Sequence, residues 1–297
     1  MPGERDRAIG ALVGLAVGDA LGATLEFQAR DSYPPLTDMV GGGPFQLAPG
    51  EWTDDTSMAL CLTDSLISSD GFDKRDLLER FRRWWRGGEN SHNGRCFDIG
   101  ITTRNALLKF ERDGSVDAGS DDPDSAGNGS LMRLSPVAIR WWNDPATATS
   151  VAVRQSETTH RSPMVLQCCQ VFAEILCDAI STGDRDYVLR DRPWSGSHAL
   201  RDVLAGKWKT LSRSEIGSSG YVFDSLRAAL WCVGNADDFR HAVLIAANLG
   251  DDADTTAAIT GQLAGALWGA EGIPSAWQTR LAWAVSIRER AARLFDR

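Results

Sequence analysis

Small and apolar residues recur at intervals of three and four from residue 6 to residue 25, and Gly10, Gly14, Gly18 and Gly22 fall on one stripe of that pattern. The spacing predicts a helix. Four glycines cost it roughly 1 kcal/mol each relative to alanine. Close backbone approach to a neighbour would offset that loss, so this helix is expected at the centre of the fold. The same period predicts further helices over 55–68, 73–86, 98–112, 131–141, 145–154, 161–181, 197–206, 219–233, 237–248, 254–270 and 275–294. No connecting segment shows the valine and isoleucine alternation of a sheet. Segments 28–52 and 114–130 are rich in glycine and proline and predict long irregular connections, which inside a compact domain are usually functional or disordered. Residues 183–218 carry charge and serine around short helical stretches and are expected outside the core. No break or internal repeat divides the chain, and the pattern gives one all-α domain over residues 1–297.

Composition narrows the function classes. A chain of 297 residues with 43% hydrophobic and 24% charged residues is globular and large enough to bury about three quarters of its extended surface. Aspartate and glutamate number 40 against 31 lysines and arginines, for a net charge of -9, which argues against broad contact with nucleic acid or an anionic membrane. The six cysteines form no CxxC pair and read as buried thiols of a reducing compartment. The apolar stretch from Ala8 to Val17 follows Arg5 and Arg7 but is soon broken by Asp19, so it does not read as a secretion signal. No apolar run is expected to reach the length of a membrane span. A soluble, cytoplasmic, monomeric protein is the expectation.

Two acidic clusters bring in chemistry. Glu51-Trp52-Thr53-Asp54-Asp55-Thr56 precedes one expected helix, and Asp251-Asp252-Ala253-Asp254-Thr255-Thr256 precedes another. Helix capping with an acidic first turn accounts for either alone. Each nevertheless holds more carboxylates than a cap needs, and adjacent carboxylates repel unless a cation or solvent compensates. If the two helix starts meet, they form a set of hard oxygen ligands with no histidine or cysteine. Such a set suits magnesium, manganese or calcium better than zinc, and a pair of Mg2+ or Mn2+ ions is the expectation. The stretch Asp121-Asp122-Pro123-Asp124 does not read as a calcium hand: counted from Asp122, Arg133 stands where a bidentate glutamate is required. Beyond it, Gly127-Asn128-Gly129-Ser130 runs into a helix expected from Leu131-Met132. That start can offer free N–H groups to an anion such as a diphosphate, although the same four residues also make an ordinary serine-capped turn. There is no P-loop, no GxGxxG after a strand and no nucleophile elbow.

Seven segments, in order along the chain, carry a resemblance to a known family: Gly14 to Phe27 (GLAVGDALGATLEF), Trp52 to Met58 (WTDDTSM), Asp98 to Thr103 (DIGITT), Gly127 to Arg133 (GNGSLMR), Thr159-His160, Gly220-Tyr221-Val222 and Gly250 to Gly261 (GDDADTTAAITG). Together they resemble the ADP-ribosylglycohydrolases, which include dinitrogenase reductase activating glycohydrolases and ADP-ribosylarginine hydrolases. The resemblance implies an all-helical fold with two magnesium or manganese ions, held by Thr53, Asp54 and Asp55 from one motif and by Asp252, Asp254 and Thr255 from the other. It implies Glu26 as an acidic residue beside the metals, acting with Asp55 and Asp254 in catalysis. Asp98, Gly100 and Thr102 resemble the segment near the scissile ribose. Gly127, Asn128, Gly129, Ser130, Leu131 and Met132 resemble the diphosphate loop, and Tyr221 an aromatic that packs on adenine.

The chemistry of the residues agrees with such a substrate. Paired metals can grip vicinal ribose hydroxyls and orient water, and Glu26 can position water or manage a proton. His160 can line the pocket or satisfy a helix end, and His92 reads as a loop residue. Trp84-Trp85 and Trp141-Trp142 are each expected to turn one indole inward and one toward a rim. The expected activity is hydrolysis of the N-glycosidic bond between ADP-ribose and arginine on a modified protein. Serine-linked ADP-ribose, O-acetyl-ADP-ribose and a non-catalytic ADP-ribose-binding module are the alternatives. The expected partner is an ADP-ribosylated protein or a small ADP-ribose conjugate.

Overall fold

The computed structural model describes residues 2–297 and resolves them into helices throughout: α1 (Glu4–Gly22), α2 (Asp54–Ser68), α3 (Lys74–Gly87), α4 (Ile101–Asp113), α5 (Ser135–Arg140), α6 (Pro145–Glu157), α7 (Pro163–Thr182), α8 (Arg185–Val188), α9 (His198–Leu204), α10 (Val222–Gly234), α11 (Phe239–Ala247), α12 (Ala253–Trp268), α13 (Ser275–Arg280) and α14 (Ala284–Phe295). Among the described residues, β pairing is confined to isolated bridges.

The glycine stripe explains the centre. A Cβ on Gly10 would lie 2.3 Å from the Gly265 carbonyl oxygen, one on Gly14 2.3 Å from that of Gly261, one on Gly18 2.1 Å from that of Ala257 and one on Gly22 2.3 Å from that of Ala253. Each step of four along α1 is thus met by a reverse step of four along α12, main chain against main chain. From Arg7 to Gly22 every residue of α1 is buried, as is every residue of α12 from Ala253 to Leu267. Helices α2, α7, α10, α11 and α14 pack around this pair.

Several boundaries differ from the sequence pattern, each for a local reason. The helix expected over 131–141 begins at Ser135: Leu131 and Met132 both donate their N–H groups to the Asn128 carbonyl in a turn, and Pro136 sits in the first turn of α5. The helix expected from 98 begins at Ile101, because Asp98 takes a left-handed backbone with φ of 61°. The one expected from 219 begins at Val222, with Tyr221 as its cap residue. The stretch 275–294 is two helices. Trp283 is left-handed, and the Ala282 N–H leaves the helical ladder to bond the Gly50 carbonyl.

Length and composition alone would let α7 cross a membrane, which the sequence reading did not anticipate; here it packs against α5, α6, α10 and α12, and its apolar side is in the core. The six cysteines are free, and all but half-buried Cys96 are buried. Trp84 is buried beside half-buried Trp85 as expected, whereas Trp141 and Trp142 are both half-buried.

Gly18→Ala, which forces a methyl group onto the Ala257 carbonyl, is expected to destabilise the protein by about 1–3 kcal/mol. Gly87→Ala, where an added Cβ meets nothing within 4 Å, should be neutral or slightly stabilising. Urea unfolding of both variants tests this, and matching midpoints would remove the backbone-contact account.

Candidate metal centre and ligand pocket

The site is assembled by α1 and the chain that leaves it. Asp19 is buried in α1 and accepts from the start of α2: its Oδ1 takes the Thr53 N–H and hydroxyl, both at 2.9 Å, and its Oδ2 takes the Thr56 N–H at 3.0 Å and hydroxyl at 2.6 Å. A helix start has unsatisfied N–H groups and a partial positive charge, so this carboxylate caps α2 from another element. Glu26 does the same for α12, its Oε2 accepting from Ala253 N–H at 2.9 Å and Asp254 N–H at 3.4 Å. Two further bonds align the strands of chain that carry these groups. Phe27 N–H donates to the Asp251 carbonyl and Asp251 N–H to that of Gln28, each at 2.8 Å. Phe27 and Asp251 both adopt left-handed backbones to do so.

Both acidic clusters therefore meet, as their composition suggested. Asp19, Asp55 and Asp254 bring carboxylate oxygens within 4.8 Å of one another, and so do Glu26, Asp252 and Asp254, so the two triads share Asp254. The Thr53 hydroxyl is 3.3 Å from oxygens of both Asp55 and Asp254, and the Thr255 hydroxyl is 3.4 Å from Asp55. Asp54 lies beside them on the wall of a cavity. Asp252 is half-buried and accepts from the Asn128 amide at 2.5 Å.

The charges acting on this cluster are largely one another's. Burial first, and then the Asp254 charge, push the carboxyls of Asp19, Glu26, Asp54 and Asp252 above the usual carboxylate range. Burial and Asp19 do so for Asp55, and burial and Asp54 for Asp98. The Asp55 Oδ1 is buried without any hydrogen-bond partner. A buried, unpaired acceptor inside a set of crowded carboxylates is costly, and a hard divalent cation matches both the donor type and the missing charge. The residues present fit one or more such ions.

Above the cluster opens a cavity of about 780 Å³. Glu26, Asp54, Asp98, Asp252, Asp254 and Thr255 form its acidic side, and Gly127, Asn128, Gly129, Met132 and His160 face them. Gly100 and Thr102 line it from the start of α4. The Asn128 N–H is taken by the Gly220 carbonyl. The loop's anion-binding potential is that of a turn, not of the helix N-terminus expected at Leu131. Ser130 and Leu131 are buried behind the lining, where Ser130 bonds the Ser156 hydroxyl at 2.7 Å. Tyr221 stands 41% exposed beside the cavity, whose wall there is Ser219 and Gly220. His92 packs edge-on between Trp52 and Phe97, away from the lining.

Sequence reasoning missed Asp19 as part of the centre. Its signal was present, since it is the one charged residue between Arg7 and Glu26 in an otherwise small and apolar helix. The cavity walls Phe27, Ile99, Ile101 and Thr103 were also missed, and nothing in their type marks them.

Carboxylate triads at helix starts, beneath a cavity in an all-helical domain, define a candidate divalent-metal protein. The ADP-ribosylglycohydrolase family model matches residues 1–297, and the chain belongs to that family, whose activity is hydrolysis of ADP-ribose linkages. It is 50% identical over 292 residues to the ADP-ribosylarginine hydrolase Tri1 of Pseudomonas putida, covering 98% of this chain and 78% of that one. It is 34% identical over 284 residues to the ADP-ribosyl-[dinitrogen reductase] glycohydrolase of Rhodospirillum rubrum, covering 94% and 92%. A solved structure described as an ADP-ribosylglycohydrolase-related protein complex superposes with a TM-score of 0.89 at 38% identity, covering 100% of this chain and 99% of its own.

Manganese at 100 times its dissociation constant should stabilise the protein by about 2.7 kcal/mol, read as a rise in unfolding midpoint. Asp254→Asn should abolish that gain. In chelator the same variant should be at least as stable as the parent, because one of the repelling charges is gone. An Asp254→Asn protein that still gains full stability from manganese would contradict a shared ligand.

Burial, and then the Arg133 charge, hold His160 down to about 3, so its ring is neutral in the folded protein while the unfolded chain protonates below about 6.5. The stability this contributes is complete above about pH 6.5 and is lost as pH falls toward 3, by up to about 1.4 kcal/mol per unit. Between pH 7.5 and 5.0 the parent should lose about 2 kcal/mol more than His160→Gln in urea unfolding. Parallel losses would reject a neutral buried ring.

Proposed function

We propose that the protein is a divalent-metal-dependent hydrolase that releases ADP-ribose from arginine side chains of modified proteins. The observation that carries this reading is the pair of triads sharing Asp254, with the unpartnered Asp55 Oδ1, on the acidic side of a cavity large enough for a nucleotide conjugate. The arginine linkage is supported by the names of two relatives, the ADP-ribosylarginine hydrolases Tri1 of Pseudomonas putida and of Serratia proteamaculans, the latter 47% identical. Exposed Asp251 and half-buried Asp98, both lining the cavity, also favour a cationic acceptor over a neutral one.

In this reading Thr53, Asp54, Asp55, Asp252, Asp254 and Thr255 hold two magnesium or manganese ions. When bound, such a pair supplies positive charge that grips ribose hydroxyls and polarises water. Glu26 commits Oε2 to the start of α12, which fixes its carboxyl and leaves Oε1 to position the attacking water and accept its proton. The amide of Gly129, which lines the cavity and has no partner among the described residues, receives the diphosphate, with buried Ser130 backing it. The Asn128 side chain is held by Asp252 and Ser225 and keeps that loop in register with the acidic side. His160 donates to a ligand oxygen from below, Asp98, Gly100 and Thr102 border the ribose, and Tyr221 offers adenine a face at the rim. Leu131 and Met132 support the loop.

Glu26→Gln keeps the shape of the cap and removes the proton acceptor. Turnover of ADP-ribosylarginine should fall by roughly 10²-fold or more, with little change in calorimetric affinity for ADP-ribose. Asp254→Ala should lose manganese affinity and turnover together. Full turnover by Glu26→Gln would exclude it as the base, and faster release from serine- or acetyl-linked substrates would shift the linkage.

A further inference from the structure

Behind the glycine loop lies a cation that the reading above leaves unused. Arg133 is completely buried, its guanidinium 4.6 Å over the Phe81 ring, and no carboxylate pairs with it among the described residues. Its donors go instead to neutral oxygens: the Gln155 side chain at 2.9 Å, the Gly129 carbonyl at 3.2 Å, the Gln155 carbonyl at 3.1 Å and the Thr159 hydroxyl at 2.8 Å. A buried charge satisfied only by dipoles is uncommon, and it constrains every group it touches.

The constraint can be followed atom by atom. Arginine can only donate, so the Thr159 oxygen must accept from it. The other contact of that hydroxyl is the His160 Nδ1 at 2.8 Å. If Nδ1 carried the proton, Thr159 would accept twice and its own hydrogen would be left without an acceptor in a buried site. With Nδ1 as acceptor the Thr159 hydrogen has its acceptor, and the ring proton of neutral His160 is then on Nε2. That nitrogen makes no bond inside the protein and borders the cavity between two glycines. A Cβ on Gly127 would come 3.5 Å from Nε2, and one on Gly129 would come 3.2 Å from it and 2.8 Å from Cε1. Side chains at either position would cover the N–H, which gives both glycines a reason beyond loop conformation.

We propose that Arg133 is a positioning residue: through the Thr159 hydroxyl it fixes His160 in the tautomer that presents an Nε2–H donor to the cavity. Its charge also stands behind the loop where an anionic ligand oxygen would approach. That the donor meets a ligand rests on the ADP-ribose reading; the tautomer does not, and the two can be tested apart.

Long-range 1H–15N spectra of ligand-free protein labelled at its four histidines, assigned with His160→Gln, should show one neutral His160 form protonated at Nε2. Thr159→Val keeps the shape but removes the relay. It should lose that single tautomer and bind ADP-ribose about tenfold more weakly, with manganese affinity unchanged. Thr159→Ser should restore both. A parent ring protonated at Nδ1, or an unaltered tautomer in Thr159→Val, would overturn the relay. A changed tautomer with undiminished ADP-ribose affinity would overturn its role in recognition. Lack of hydrolysis by the parent would count against the proposed function alone.

Discussion

Main chain against main chain, along four successive turns of α1 and α12, is the contact from which the rest of the structure follows. With no side chains between them, the two helices come close enough for Asp19, inside α1, and Asp254, at the first turn of α12, to contribute to one triad. The segment that leaves α1 then sets Glu26 at the α12 start, where it accepts from the Ala253 and Asp254 amides. Asp19 in turn recruits the start of α2, and with it Thr53, Asp54 and Asp55. Bulk introduced at any glycine of the stripe would therefore change carboxylate spacing as well as packing.

The two sides of the cavity solve opposite electrostatic problems by similar means. On the acidic side, helix N-termini face Asp19 and Glu26 and offset part of the mutual repulsion of the carboxylates. On the glycine side, in a protein of net charge -9, no lysine lines the cavity. The groups gathered there are the Gly129 amide, a histidine held neutral by burial and, behind them, one arginine sealed in the core. A buried cation is less screened than an exposed one and does not compete with the acidic side for a partner.

Much of this was legible in the sequence. The glycine stripe announced a close helix pair because only such a pair offsets its propensity cost, and the two acidic clusters announced a shared site because each exceeded what capping needs. Asp19 escaped notice because its partners, Thr53 and Thr56, lie in another helix, and nothing local distinguishes a cap supplied from a distance. Arg133 was quoted within a motif yet had no evident task, since its neighbours Gln155 and Thr159 are brought to it only by α6. Helix starts at 98, 131 and 219 were set too early because left-handed Asp98, the turn at Asn128 and the cap at Tyr221 depend on the packed loop and not on periodicity. The break at Trp283 is likewise set by Gly50, far away in the chain.

The pairing of α1 with α12 also carries a kinetic consequence. These helices belong to opposite ends of the chain, so the centre consists of contacts with very large sequence separation. Loop closure must come before such contacts can form, and topologies of this kind assemble slowly. During synthesis α1 emerges with its glycine face uncovered and waits until α12 has been made. In that interval the acidic segments stay hydrated and apart. Their mutual repulsion is met only when the last long helix docks, and a divalent ion present at that moment would join assembly of the fold to assembly of the site.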